Sequence, residues 1–219
     1  MLKIDNSGGD LLVSNRTKRE RERKANEITD AAEKCFFKKG YDKTTMDEIA
    51  AQLELTKTAI YRYFENKEEL YFSVAVRGVK ILNKMMIEEF SSQNNGREKV
   101  LKTCYAFKKF YKQFPDYCRV LTEAHDRDPE FMNTPHIQEL IKIDQQNLGI
   151  ICDSIDIGKK DGSIREDINT FLTALYLVKS TLNIFSSSLS TIYYLGLFGM
   201  SKEDLIEHSL DLMIHSISK

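Results

Sequence analysis

The 219-residue sequence predicts an all-α protein. Apolar residues recur at spacings of three and four along nearly every segment, and no segment alternates with the period of two that a half-buried strand requires. Start signals of the form Thr/Asn/Ser-x-x-Glu/Asp stand at the heads of several segments, where the first residue caps a backbone N–H three positions on. The expected layout is a flexible tail over residues 1–15, a small three-helix helix-turn-helix module over 16–72, and a helical bundle over 73–219 reached through one long helix.

Taken in order, residues 1–15 contain Asn6-Ser7-Gly8-Gly9 and little apolar periodicity, which reads as a tail. Arg16 to Lys24 opens a helix with charges of both signs, either a solvated face with Glu–Arg pairs one turn apart or a surface for phosphates or a minor groove through Arg16, Lys18 and Arg19. Ile28, Ala32, Cys35 and Phe36 form its buried stripe, and it stops at Gly40 behind Lys38 and Lys39.

Thr45 and Glu48 then make a reciprocal capping box, so a second helix begins near Met46, with Ile49, Ala50 and Leu53 on its inner side and a small Ala50 where another helix must cross closely. Thr56 caps a third helix over Lys57 to Tyr63, anchored inward by Ile60. At 100° per residue, Thr58 and Arg62 point away from that anchor with Lys57 and Tyr61 flanking them, a face of donors, methyls and an aromatic ring that suits a major groove. Asn66 caps the next helix. Lys67 in its first turn opposes the macrodipole by a few tenths of a kcal/mol, a conflict that a bound phosphate would remove.

These residues carry a resemblance. Ile28, Ala31-Ala32, Phe36, Gly40-Tyr41, Thr44-Thr45, Ile49-Ala50, Leu55-Thr56-Lys57, Ile60-Tyr61-Arg62-Tyr63-Phe64 and Asn66-Lys67-Glu68-Glu69-Leu70 together resemble the TetR/AcrR family of bacterial transcription regulators, strongly over about residues 20–72. The run IYRYFENKEEL is its most specific part, since a generic helix-turn-helix has no reason to continue in that way. Glu54 stands where the family usually has glycine in a turn that tends to the left-handed region, and Thr58-Ala59 where it often has Gly-Thr, which bears on base preference. The resemblance implies a DNA-binding domain in which Thr45, Tyr63 and Lys67 contact phosphates and Thr56, Lys57, Thr58, Ala59, Tyr61 and Arg62 face the groove, Arg62 being the reader of guanine.

Beyond the reader, Glu68 to about Phe90 reads as a long helix shared by both halves, ended by the loop Ser91 to Gly96. Further helices are expected over residues 97–113, from Asp116 to about Ala124, and from Thr134-Pro135 through Ile151 to the GKKDG stretch at 158–162. The last two are expected over Asp167 to about Leu195 and Ser201 to Ser216. Their surplus of apolar residues (Phe171, Leu175, Val178, Leu182, Phe185, Leu189, Leu205, Leu212, Met213 and Ile217) reads either as one protomer's core or as the two-fold four-helix interface through which the resembling family dimerises. A two-fold implies a palindromic operator on double-stranded DNA.

The resemblance also implies an effector pocket in the bundle. Tyr105, Phe110, Phe114, Tyr117, Phe131, Met132, Ile141, Tyr176 and Phe185 are the candidates, suited to an apolar or aromatic small molecule, with ordinary core packing as the other account. Arg119 and Lys179 are candidates for an acidic head group.

Other chemistry finds no foothold. His125, His136, His208 and His215 make no metal-spaced pair, and no nucleophile elbow or phosphate loop appears, so neither a metal, a cofactor nor an enzyme is expected. Cys35, Cys104, Cys118 and Cys152 are far apart and read as reduced thiols of a cytoplasmic protein; no apolar run is long enough to cross a membrane. Net charge is −1, but residues 16–67 carry thirteen Lys and Arg against ten Asp and Glu, while 68–219 carry eighteen against twenty-one. Two other readings remain open at this level: a DNA-binding regulator whose body takes a protein partner, and a helical enzyme or scaffold with a vestigial reader.

Overall fold

The computed structural model describes the backbone of residues 7–91, 95–127, 134–185 and 188–219, and side chains from residue 16 onward. Its helices are α1 (Ser7–Lys39), α2 (Met46–Gln52), α3 (Lys57–Tyr61), α4 (Lys67–Ser91), α5 (Gly96–Gln113), α6 (Pro115–His125), α7 (Pro135–Asp161), α8 (Thr170–Phe185), α9 (Leu189–Leu197) and α10 (Lys202–Ile217). Among the described residues there is no strand, only an isolated antiparallel bridge between Ile164 and Ser218. Contacts divide the chain into two units, Met1–Val74 and Ala75–Lys219, with α4 contributing residues to each.

The caps stand where the sequence puts them. Thr45 and Glu48 complete their box, Thr56 accepts from the Ala59 N–H at 3.2 Å, and Asn66 accepts from the Glu69 N–H at 2.7 Å. Thr134 caps α7, and Ser201 with Asp204 boxes α10. α7 ends at Gly162, whose φ of 79° is the left-handed turn that only glycine adopts without cost.

Three expectations are corrected. α1 begins at Ser7, inside the stretch read as a tail; Gly8-Gly9 does not break it, because extending an existing helix costs far less than starting one. Residues 1–6 lie outside the described residues. α3 ends at Tyr61, and Arg62 is its C-cap with φ −73° and ψ −15°, so this helix is two residues shorter than periodicity indicates. The helix expected from Asp167 to Leu195 is two: α8 starts at Thr170 behind an Asn169 cap, and Ser188 caps a separate α9 by accepting from the Thr191 N–H at 3.3 Å. Serine's competition for backbone N–H groups favours a new helix start over continuation.

The core of the first unit gathers Ile28, Phe36, Ile49, Ile60, Phe64 and Leu70, all essentially buried. Phe36 and Tyr71 meet edge to face at 4.9 Å, and Tyr41 meets Tyr71 at 5.0 Å. In the second unit α5 lies close against α7: a Cβ on Gly96 would come within 2.0 Å of the Gly158 nitrogen, and one on Gly158 within 2.5 Å of Ile164.

Candidate nucleic-acid interface and effector cavity

Two apolar anchors hold α2 and α3 in place. Ile49 in α2 and Ile60 in α3 are both fully buried. The turn between the helices passes through Glu54 at φ 55°, and the Leu55 N–H closes it on the Ala50 carbonyl at 2.9 Å. The left-handed residue is the one at which the resembling family usually has glycine.

With Ile60 inward, Thr56, Lys57, Thr58, Tyr61 and Arg62 are exposed, and Ala59 and Tyr63 half-buried. Tyr61 keeps 43% of its surface open. Lys57 reaches Asp47 on α2 at 3.2 Å, and Thr45 is exposed at the start of that helix. Arg21 of α1 donates to the Arg62 carbonyl at 3.2 Å and stands 5.8 Å from the Tyr63 ring centre, which ties the end of α3 to α1 and leaves the Arg62 side chain outward.

Lys67 is engaged differently from the expectation. Its ammonium donates to the Tyr41 and Thr44 carbonyls, each at 3.0 Å, and stands 4.0 Å from the Tyr41 ring centre. The dipole conflict read from the sequence is therefore met inside the protein, by the carbonyls that follow α1. One ammonium hydrogen is left for another acceptor.

The second unit contains a cavity of about 340 Å³. Phe107, Phe110 and Tyr111 of α5 line it with Pro115, Cys118, Arg119, Leu121, Thr122 and Glu123 of α6, Leu182 and Phe185 of α8, Leu82 of α4, and Lys202 at the head of α10. Tyr111 and Phe185 stack at 5.0 Å. Burial pushes the Cys118 thiol up to about 12, with Lys202 opposing slightly, and the buried Cys104 likewise to about 12. Both stay thiols at neutral pH, without the thiolate a nucleophile needs.

Of the effector residues expected from sequence, Phe110 and Phe185 line this cavity. Phe114, 5.7 Å from the Phe110 ring, and Tyr117, 6.4 Å from the Phe114 ring, extend an aromatic row without lining the cavity. Tyr105, five positions before Phe110 and so turned well round α5, lies on another side, its hydroxyl 3.4 Å from Glu207. Tyr176 is 59% exposed, because the inner face of α8 is Ala174, Leu177, Thr181 and Phe185. Ile141 is half-buried on α7, outside the lining. Phe131 and Met132 lie outside the described residues. Arg119 lines the cavity and Lys179 does not.

Lys202 and Leu182 were not read as cavity residues. Leu182 belongs to the surplus that reads either as one protomer's core or as a two-fold interface, and Lys202 has the same signal as Lys67, a cation directly after an N-cap.

The apolar surplus of the last helices divides in three, with Val178, Leu182 and Leu205 half-buried. Phe185, Met213 and Ile217 are buried, whereas Phe171, Leu175, Leu189 and Leu212 are exposed. They are joined by Leu172, Tyr193 and Phe198, and α9 buries none of its residues. Among the described residues no cluster of His, Cys, Asp or Glu could hold a metal ion, and no helix is long and apolar enough to cross a membrane.

Comparison with known proteins agrees with the N-terminal geometry. Residues 28–74 match the family model described as bacterial regulatory proteins, tetR family. An uncharacterized HTH-type transcriptional regulator, YhgD of Bacillus subtilis, is 29% identical over 153 residues, covering 69% of this chain and 77% of its own. The biofilm operon negative regulator IcaR of Staphylococcus epidermidis is 43% identical over 44 residues, 20% of this chain and 24% of its own. The crystal structure of the Bacillus subtilis regulator FadR in complex with stearoyl-CoA superposes with a TM-score of 0.66 at 19% identity, covering 87% of this chain and 98% of that one, a likeness of fold.

Proposed function

We propose, for a chain that belongs through residues 28–74 to the tetR family of bacterial regulatory proteins, a repressor that grips a palindromic operator as a homodimer and releases it when a small molecule enters the cavity of its second unit. The chain is a DNA-binding transcription regulator. The observation that carries the finer reading is the outward face of α3: Thr56, Lys57, Thr58, Tyr61 and Arg62 stand exposed over an anchor that fixes the helix.

Arg62 reads guanine, and the other exposed residues of α3, with Ala59, contact base edges or the thymine methyl. Thr45, Tyr63 and the remaining hydrogen of Lys67 hold phosphates. The negative regulator among the relatives supports repression. The exposed apolar residues of α8 and α10 support a two-fold interface, because that much open apolar surface is uncommon on a monomer. The effector acts by favouring a dimer state in which the two reading helices no longer match the spacing of one DNA turn. Such a protein works in the cytoplasm, as a regulator and not an enzyme.

A salt-series titration against DNA from upstream of the chain's own gene, beside unrelated DNA, tests the reading. Two protomers per site, preference for the upstream DNA and a steep salt slope support it. Equal weak binding to both, with no sequence recovered from a random DNA pool, removes it.

A further inference from the structure

The charge in the cavity is not balanced. Arg119 has two carboxylates, Asp116 at 3.2 Å and Glu123 at 3.7 Å. Lys202 has none among the described residues: its ammonium donates to the Tyr111 hydroxyl at 2.7 Å and the Phe185 carbonyl at 2.6 Å, and stands 4.6 Å from the Tyr111 ring centre. The acids beside it in sequence are committed elsewhere, Glu203 to Lys108 at 2.7 Å and Asp204 to the Ser201 cap.

Lys202 is half-buried in the first turn of α10, where the helix dipole adds further positive potential. Its two oxygen partners are neutral, so they orient the ammonium without cancelling its charge. The cavity that it lines is mostly apolar, with Phe110, Leu121, Leu182 and Phe185 in its wall and Arg119, Thr122 and Glu123 as its other polar members. An ammonium among apolar walls attracts an anion far more strongly than one in water does.

We infer that the cavity binds an amphipathic monoanion, a carboxylate on an apolar or aryl body, with its head group on Lys202 and its body among Phe110, Leu121, Leu182 and Phe185. The inference rests on the reading that the second unit takes a small effector. A neutral molecule would leave the ammonium uncompensated, and a polyanion would find no second uncommitted cation in the lining. At about 340 Å³ the cavity is near the small end of ligand sites, which suits a compact acid.

The test is calorimetric titration of the full chain with two acid and alcohol pairs: decanoate against decanol, and hydrocinnamate against hydrocinnamyl alcohol. At least one acid should bind about tenfold or more tightly than its alcohol, as a charge-assisted contact implies. Lys202→Met should erase that preference while the alcohol still binds, Lys202→Arg should keep it, and Leu182→Trp, which fills the cavity, should abolish both. Circular dichroism checks each variant's helicity; if Lys202→Met fails to fold, Lys202→Gln, which can still donate to Tyr111 and Phe185, takes its place. Equal binding of acid and alcohol to the parent overturns the head-group assignment and leaves the effector reading standing. Unchanged binding in Leu182→Trp moves the site elsewhere and overturns the inference, and binding of none of the four molecules removes it together with the effector reading.

Discussion

His125 Nε2 lies 2.7 Å from Asp144 Oδ2, so a ring at the end of α6 is tied to a carboxylate on α7. Its other nitrogen, Nδ1, faces the Leu121 carbonyl at 2.6 Å. Both neighbours are acceptors, and only the doubly protonated ring donates to both. The Asp144 hydrogen bond raises the His125 pKa, with burial and Lys179 of α8 opposing and the Leu121 carbonyl assisting.

A folded-state pKa above the unfolded value means that this contribution to stability is fully present below about 6.5 and is lost as pH rises through the folded value. The expected outcome is a melting temperature that declines as pH is raised from about 6.5, more steeply in the parent than in His125→Gln. Since the side chain is 35% exposed, solvent screening keeps the difference small. Parallel curves for the two proteins would mean that the pair adds nothing that titrates.

Lys67 and Lys202 show how far the sequence could be read. Each follows an N-cap, donates to a backbone carbonyl outside its own helix and stands over a tyrosine ring, Tyr41 or Tyr111. The cation in a first turn was visible as a local rule broken, but its compensation was not, because Tyr111 is 91 positions from Lys202. Caps and turns were legible for the complementary reason: Thr45 with Glu48, Thr56 and Ser201 act on residues three positions away. The cavity mixed the two cases. Phe110 and Phe185 line it, whereas Tyr105 and Tyr176 belong to other faces of the same helices, and the choice of face depends on packing that no local pattern states. The division of α8 from α9 was missed because apolar periodicity runs across the serines at 186–188.

Lys67→Met should destabilise the first unit. The ammonium ties the Tyr41 and Thr44 carbonyls to the start of α4, and hydrogen bonds from a charged donor are worth about 1.5–3 kcal/mol. Hydrogen exchange of residues 40–52 should show the loss, with DNA affinity measured in parallel. If the remaining hydrogen meets a phosphate, the salt slope also falls by about one per half-site.

Glu54→Gly should stabilise the protein by about 0.5–1 kcal/mol. Residue 54 sits at φ 55°, which costs a β-substituted residue on the order of 1 kcal/mol and glycine nothing, and the greater freedom of glycine in the unfolded chain takes back part of the gain. Urea denaturation of the two proteins measures it. A loss of stability would mean that the Glu54 side chain contributes more than its backbone costs.

Gly96→Ala should be severe. The added Cβ would lie 2.0 Å from the Gly158 nitrogen and 2.4 Å from the Ser154 carbonyl oxygen, both backbone atoms of α7 that no side-chain rotation can clear. The start of α5 must move away from α7, giving up the hydrogen bond from the Gly96 N–H to Asp161 at 2.8 Å. Overpacking costs about 1–3 kcal/mol and more where backbone is struck. Gly149→Ala, whose Cβ meets nothing within 4 Å, is the control and should be neutral or slightly stabilising.

Arg62→Ala separates reading from holding. The Arg62 carbonyl is fixed by Arg21, so truncating the side chain leaves the helix end in place and removes only what projects from it. Under the proposed role, affinity should fall by about 1–3 kcal/mol for the operator and much less for operators changed at the one base pair Arg62 reads. Arg21→Ala should act differently. It frees the end of α3 and removes the cation beside Tyr63, and so should weaken binding to all sequences while keeping the ranking of operator variants. Measuring both substitutions against a panel of single-base operator variants distinguishes the two roles, and a uniform loss for Arg62→Ala would make it a phosphate contact instead of a reader.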